Sequence, residues 1–285
     1  MTEARVRPLT AGEVEIALEW AAREGWNPGL ADAAAFHAQD EGGFLGLFLA
    51  GELAATLSAV RYAGGFGFMG FYICRPDLRG RGLGLALWWA GLARLDGLTV
   101  GLDGVVAQQA NYAACGFVLA HRNIRYGGRA RPVGADDPRI HDPRIMAPGP
   151  DLLARVAACD EAHFGFSRPA FLARWLHPPG GVARVLVEDG AVTGYGVARR
   201  CREGFKIGPL FAAAPGDARA LLTALAPVAG AEPLYLDVPE PNAEARGLAE
   251  AAGLAPVFET ARMYRGPAPR LPLARIFGIT SFELG

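Results

Sequence analysis

Lysine is almost missing from this chain: of its 28 basic residues, all but Lys206 are arginine. The sequence itself offers no physical cause for that skew. Cysteine is scarce too. Cys74, Cys115, Cys159 and Cys201 stand 41, 44 and 42 residues apart with no CxxC pair. That spacing excludes a disulfide framework and a zinc site, and it reads as small buried hydrophobes in a reducing compartment, so no metal is expected. No run of 18 apolar residues occurs, and the longest uncharged stretch, residues 104–120, carries Gln108, Gln109 and Asn111, so it is no membrane span. The opening MTEARVRPLT lacks the apolar core of a signal peptide. Neither sign of charge is in excess: 28 basic against 29 acidic residues give a net charge of −1, which argues against coating a nucleic acid or an anionic membrane. A cytoplasmic protein with no nucleic-acid or membrane partner is expected, and a homodimer is left open.

What the chain does have is apolar bulk. Over 285 residues, 51% are apolar and 20% charged, enough to fill a core and incompatible with a disordered or fibrous chain. The length is about twice that of a common domain, so two domains are expected. The seam lies around GGRARPVGADDPRIHDPR, residues 127–144, where three prolines and no apolar periodicity read as a surface connection. Ile140 and Ile145 are available to pin it to a domain.

Each flank of the seam predicts the same order of elements. The first opens with a strand at VRPL, then helices over 11–24 and 32–39, strands over 44–50 and 53–61, and a longer strand over 66–74. A helix over 83–95, a strand over 99–103, a short helix over 111–115 and a strand over 117–126 complete it. The second flank repeats this with helices over 151–163 and 168–176, a hairpin over 183–200 turning at Asp189-Gly190, and a central strand over 206–212. A helix over 217–225, a strand over 233–237, a helix over 243–252 and a strand over 257–264 follow. Local identities recur at matching places: GLDG against YLDV, QQAN against PEPN, CGF against AGL. Such recurrence marks a tandem duplication of one α/β (α+β) unit. The tail LPLARIFGITSFELG ends in alternating apolar residues and predicts a further strand.

One segment carries chemistry. After the strand ending at Cys74 come Arg75-Pro76-Asp77-Leu78 and then Arg79-Gly80-Arg81-Gly82-Leu83-Gly84, running into a helix. Three glycines leave backbone N–H groups bare, a helix N-terminus adds a field that favours anions, and two arginines can bond phosphate oxygens; the alternative is a glycine-rich turn with solvent-facing arginines in a chain of 38 glycines. The segment lacks the third glycine of a dinucleotide fingerprint and the Gly-Lys-Ser/Thr of a nucleotide-triphosphate loop.

Residues 79–84 match the [Gln/Arg]-x-x-Gly-x-[Gly/Ala] motif of the GNAT superfamily of acyl-CoA-dependent N-acetyltransferases. Asn111-Tyr112-Ala113-Ala114-Cys115-Gly116-Phe117 resembles that superfamily's later motif. In EGWNPGL, FYICRP, GLDGV, LDVPEPN, ETARMYRG and the FGITSFELG ending, the whole chain is similar to a bacterial subgroup with a second, degenerate GNAT-like domain. The resemblance implies two tandem GNAT-like domains, each a mixed, mostly antiparallel sheet flanked by helices and splayed after its fourth strand. It implies an N-terminal acetyltransferase domain over residues 1–130 that holds CoA, a linker over 131–147, and a degenerate C-terminal domain over 148–285. It further implies N-acetyl transfer from acetyl-CoA to a small-molecule amine, with no metal. Pantetheine would lie along Phe71, Tyr72, Ile73 and Cys74, and pyrophosphate on Arg79, Gly80, Arg81, Gly82, Leu83 and Gly84. Asn111 would contact the pantetheine side, and Tyr112 would act as general acid. A phenol of ordinary pKa about 10 stays protonated at neutral pH and can donate to a leaving thiolate.

Two departures stand out. Many family members carry a base glutamate on the central strand, but here FGFMGFYIC, residues 66–74, has no acid. Glu24, Asp32, Asp103 and His121 are the candidates that remain, and a non-catalytic acyl-CoA binder or sensor is the competing reading. The break at Glu24-Gly25-Trp26-Asn27 falls where the family lines its acceptor pocket, so Trp26 and Asn27 are expected there, against the alternative that Trp26 only packs the turn. In the second half the turn after the central strand holds Asp217 in place of the arginine–glycine nest, and an acid there repels pyrophosphate. Asp160, His163 and Arg168 are the available guesses for a site of its own, set against a hydrated helix–helix turn.

Overall fold

The computed structural model describes residues 4–131 and 142–285. Positions 132–141 of the expected linker, Ile140 among them, lie outside the described residues. The first half runs β1 (Ala4–Pro8), α1 (Ala11–Arg23), α2 (Asp32–Gln39), β2 (Phe44–Leu49), β3 (Glu52–Tyr62), β4 (Phe66–Cys74), α3 (Leu83–Arg94), β5 (Thr99–Val105), α4 (Gln109–Ala114) and β6 (Val118–Gly128). The second runs β7 (Ile145–Met146), α5 (Leu153–Phe164), α6 (Pro169–Trp175), β8 (Val182–Glu188), β9 (Ala191–Arg200), β10 (Phe205–Ala212), α7 (Pro215–Leu225), β11 (Leu234–Pro239), α8 (Ala243–Ala251), β12 (Ala255–Arg265) and β13 (Ile276–Gly278). Ile145 does pin the connection, pairing with Leu186 of β8. Among the described residues no helix is long and apolar enough to cross a membrane.

Local chemistry explains most of these elements. Thr10 and Glu13 form a capping box at the start of α1, and Arg7 forks onto the Glu13 carboxylate at 2.7 and 2.8 Å. Val14, Ala17, Leu18 and Ala21 then repeat at helical spacing and are all buried. The β2–β3 and β8–β9 hairpins turn through two residues of positive φ, Ala50 and Gly51 at 51° and 85°, Asp189 and Gly190 at 48° and 77°. Such turns match the twist of the strands they join.

The strands form one sheet in the order β1-β2-β3-β4-β5-β12-β6-β11-β10-β9-β8-β7, with β13 attached to β10. Its order does not follow the chain. β12, from the second half, lies antiparallel between β5 and β6, while β6 pairs with β11. Each half therefore lends its last long strand to the other, and the sheet does not break where the chain passes from one half to the next.

The exchange is fastened by two buried ion pairs at equivalent places. Arg262 of β12 forks onto Asp103 of β5 at 2.8 and 2.6 Å. Arg125 of β6 forks onto Asp237 of β11 at 2.6 and 2.8 Å. The repeated Leu-Asp and Arg positions thus pair crosswise between halves. The helices meet as well: Phe36 of α2 stacks on Phe171 and Trp175 of α6, with centroids 6.4 and 5.5 Å apart. Beside them Asp32 pairs with the buried Arg199.

Candidate active site

β4 and β5 run parallel only as far as Met69 and Leu102. Beyond that register they separate, and β4 carries a bulge where Phe71 adopts a φ of 48°. The Phe71 ring stays in the core, so the irregularity turns the backbone of residues 71–74 toward the gap without losing apolar packing. The gap is a cavity of about 510 Å³. Leu57, Met69, Tyr72, Cys74, Trp88 and Tyr112 line it from the first half, and Phe258, Thr260, Phe282 and Glu283 from the second.

At the mouth stands the glycine-rich turn. Gly80 and Gly82 adopt φ of 77° and 76°, with open space where a side chain would be. Helix α3 starts at Leu83 with no side-chain cap among the described residues and no acid in its first turn, in contrast to α1. Its first N–H groups therefore lack the usual protein partner and face an electropositive setting. Arg79 and Arg81 are exposed. Arg79 Nε donates to the Cys74 carbonyl at 3.0 Å, and its Nη2 pairs with Glu24. A Cβ at Gly84 would meet the Tyr72 hydroxyl at 2.8 Å, so glycine lets the helix start seat against the cavity wall. Of the expected phosphate residues, Arg79 also lines the cavity; Gly80, Arg81, Gly82, Leu83 and Gly84 sit outside it, and so does Asn111, whose amide donates to Gln108 at 2.6 Å.

Tyr112 is placed by α4 and by a missing side chain. A Cβ at Gly104 would collide with its ring, so the phenol lies flat on β5. It stacks on Trp88 at 5.5 Å, and Trp88 in turn meets Tyr72 at 5.3 Å. Burial pushes the Tyr112 phenol up to about 12, which keeps it a proton donor at any physiological pH. Trp88 Nε1 is a buried donor with no partner among the described residues.

The acid and base candidates fare differently. Glu24 and Asp103 both line the cavity. Glu24 is held by Arg79, and Asp103 is fully engaged by Arg262 and by Asn123 at 2.8 Å. His121 does not line the cavity; burial, with Arg262 adding to it, pulls it down to about 4. Asp32 is buried away from it, bound to Arg199 and to the Gly29 N–H. Trp26 lines the cavity, and its carbonyl accepts from Arg125 at 2.7 Å. Asn27 does not: its amide clasps the backbone of Glu203 in both directions, at 2.9 and 3.1 Å. Glu283 is the cavity acid that the sequence reading passes over: it stands in the FGITSFELG ending, which carries only the family likeness, in an apolar tail far from the glycine-rich turn and the Asn111-Tyr112 motif. Among the described residues no group of three or more His, Cys, Asp and Glu side chains could hold a metal ion.

In the second half the corresponding gap is filled. β10 and β11 run parallel through Ile207 and Leu236, and past that point β13 pairs with β10 at Leu210 and Phe211. Asn242, at the place of Asn111, donates to the carbonyls of Leu273 and Ile276 at 3.0 Å and so grips the tail. Asp217 is paired with Arg144 at 3.0 Å. Asp160, His163 and Arg168 are not a hydrated turn: all three are buried, and Asp160 receives Arg168 at 2.8 Å together with the Tyr195 hydroxyl.

The chain matches an acetyltransferase (GNAT) family over residues 13–120 and an acetyltransferase (GNAT) domain over residues 156–278. It is similar to the holothin acyltransferase of Pseudoalteromonas sp. (strain SANK 73390), with 32% identity covering 98% of this chain and 94% of that protein. A Pyrococcus horikoshii crystal structure assigned to the acetyltransferases superposes with a TM-score of 0.79 at 22% identity, covering 99% of this chain and 96% of that one. A tandem GNAT protein from the clavulanic acid biosynthesis pathway superposes at 0.60 with 16% identity, covering 94% and 100%. At these identities the two structures speak for the fold.

Proposed function

From the premise that this chain belongs to the GNAT acyltransferase family, we propose that it transfers an acetyl group from acetyl-CoA to the amine of a small molecule. The single observation that carries this is that an uncapped, glycine-opened helix start adjoins the β4–β5 gap, with Arg79 in the cavity lining and Gly84 against the Tyr72 hydroxyl. Backbone N–H groups and guanidinium forks suit a pyrophosphate. The backbone of residues 71–74 and the free Trp88 N–H suit the amides of a pantetheine arm, which needs both donors and acceptors along its length. The relative whose name joins acyl transfer to holothin supports the acyl-transfer reading. A cavity of about 510 Å³ is of small-molecule size.

The amine nitrogen attacks the thioester carbon, the C–N bond forms and the C–S bond breaks. Tyr112 gives its proton to the departing sulfur. Its raised pKa makes it a weaker acid in the ground state, but one that is never wasted as phenolate at neutral pH. The filled second gap supports one cofactor site per chain.

Release of free thiol from acetyl-CoA, followed against a panel of amines, tests the reading. Tyr112→Phe is expected to lower kcat by roughly 10²- to 10⁴-fold, the usual worth of a general acid, with CoA affinity unchanged within threefold. Gly82→Val is expected to weaken CoA binding at least tenfold by calorimetry. CoA binding with no turnover on any amine would leave a binder or sensor and overturn the proposal.

A further inference from the structure

We propose that Glu283, delivered by the tail after β13, is the base that takes the acceptor's proton in this cavity. The inference rests on the acetyl-transfer reading above.

β4 has no acid, and at its centre it has no side chain either. A Cβ at Gly70 would run into the Glu283 carbonyl oxygen and press within 3.0 Å of its Cα. The strand that lacks its own carboxylate is thus shaped to take the backbone of Glu283 against it. Glu283 is 3% exposed and lines the cavity, and its Oε1 has no hydrogen-bond partner among the described residues. A buried carboxylate oxygen left bare is costly, which points to a partner that the protein does not itself supply. The competing carboxylates of the cavity are taken, Glu24 by Arg79 and Asp103 by Arg262. The tail is anchored on both sides of position 283: Thr280 accepts from Arg168 at 2.7 Å, and the Leu284 carbonyl accepts from Tyr62 at 2.8 Å.

The charged groups around Glu283 are Lys206, Arg125, Arg199 and Asp32. Each cation is engaged elsewhere: Lys206 with the Asn27 carbonyl, Arg125 with Asp237 and Arg199 with Asp32. Burial pushes the Glu283 carboxyl above its ordinary value, with Lys206 and Arg125 opposing the rise. A carboxylate so raised is a better proton acceptor. As the C–N bond forms, the proton on nitrogen passes to the Glu283 carboxylate, while Tyr112 protonates the sulfur that leaves with the C–S electron pair. Solvent returns the proton gained by one group to the other between turnovers.

Glu283→Gln in the full chain is expected to lower kcat/KM for the amine at least 100-fold and to flatten the acidic limb of the pH–rate profile. CoA affinity should stay within threefold, and Glu283→Asp should restore part of the rate. A Glu283→Gln enzyme within threefold of the original rate, with its acidic limb intact, overturns the proposal. If that variant does not fold, the unaltered protein decides: an acidic limb that follows only the pKa of each amine in a series overturns it, and a limb at one fixed pH across the series supports it. No thiol release from the unaltered protein with any amine would instead remove the transfer reading, and this proposal with it.

Discussion

Asp103 and Asp237 stand at matching places on β5 and β11, and each is held by an arginine from the other half of the chain. Fully buried pairs of this kind add little net stability, because desolvation offsets most of the attraction, but removing one partner strands a charge. Asp103→Asn is therefore expected to cost about 3–5 kcal/mol in urea unfolding, whereas Glu24→Gln, which breaks the partly exposed pair with Arg79, should cost under about 1 kcal/mol. His121 makes a pH prediction. An unfolded histidine takes up its proton near 6.5, but here it does so only near 4. Between those values the unfolded chain binds more protons, so each drop in pH weakens the fold. His121→Gln should flatten the stability profile between pH 6.5 and 4, read from midpoints at half-unit steps. Little of this was legible beforehand. The aspartates and arginines were visible as repeats, but nothing in the sequence says that residues 159 apart will meet. Glu283 left only indirect traces, a glycine at position 70 in a strand with no acid and its place in the FGITSFELG ending.

Elements were far easier to read. Nearly every helix and strand lies within two residues of its expected bounds, because caps, turns and apolar periodicity act over a few residues. The contrast between a capped α1 and an uncapped α3 was likewise written locally, in Thr10-x-x-Glu13 against Arg-Gly-Arg-Gly. Strand pairing was not, since a period of two tells a strand which face to bury but not which neighbour to choose. The tail was expected to add a strand, yet no local signal shows that β13 fills the gap beside β10. This packing is tight. A Cβ at Gly278 would meet Leu236 Cδ1 at 2.6 Å and Leu210 Cβ at 3.3 Å. Gly278→Val should destabilise the protein by about 1–3 kcal/mol, the usual range for overpacking. It should also lower transfer more than CoA binding, because residues 279–285 follow directly from β13. A melting curve and a rate measured on the same sample check both.

At the scale of the molecule, two lent strands and one tail bind the halves into a single sheet. Thermal unfolding should then be one transition, with far-UV ellipticity and tryptophan fluorescence coinciding and the calorimetric enthalpy matching the van't Hoff value. Two resolved transitions would contradict it. The duplication itself was readable, since repeated motifs are a property of order along the chain. The exchange of β6 and β12 was not, because order along the chain is what it departs from. It also fixes when this protein can take shape. A nascent chain normally folds domain by domain from its N-terminus, but here β5 waits for a neighbour that is translated only after both halves are nearly complete. Most of the first half can emerge from the ribosome while its sheet still has an open edge at β5, and Glu283 follows later still. The glycine-rich turn is made early, and the chamber it serves is among the last parts of the protein to close.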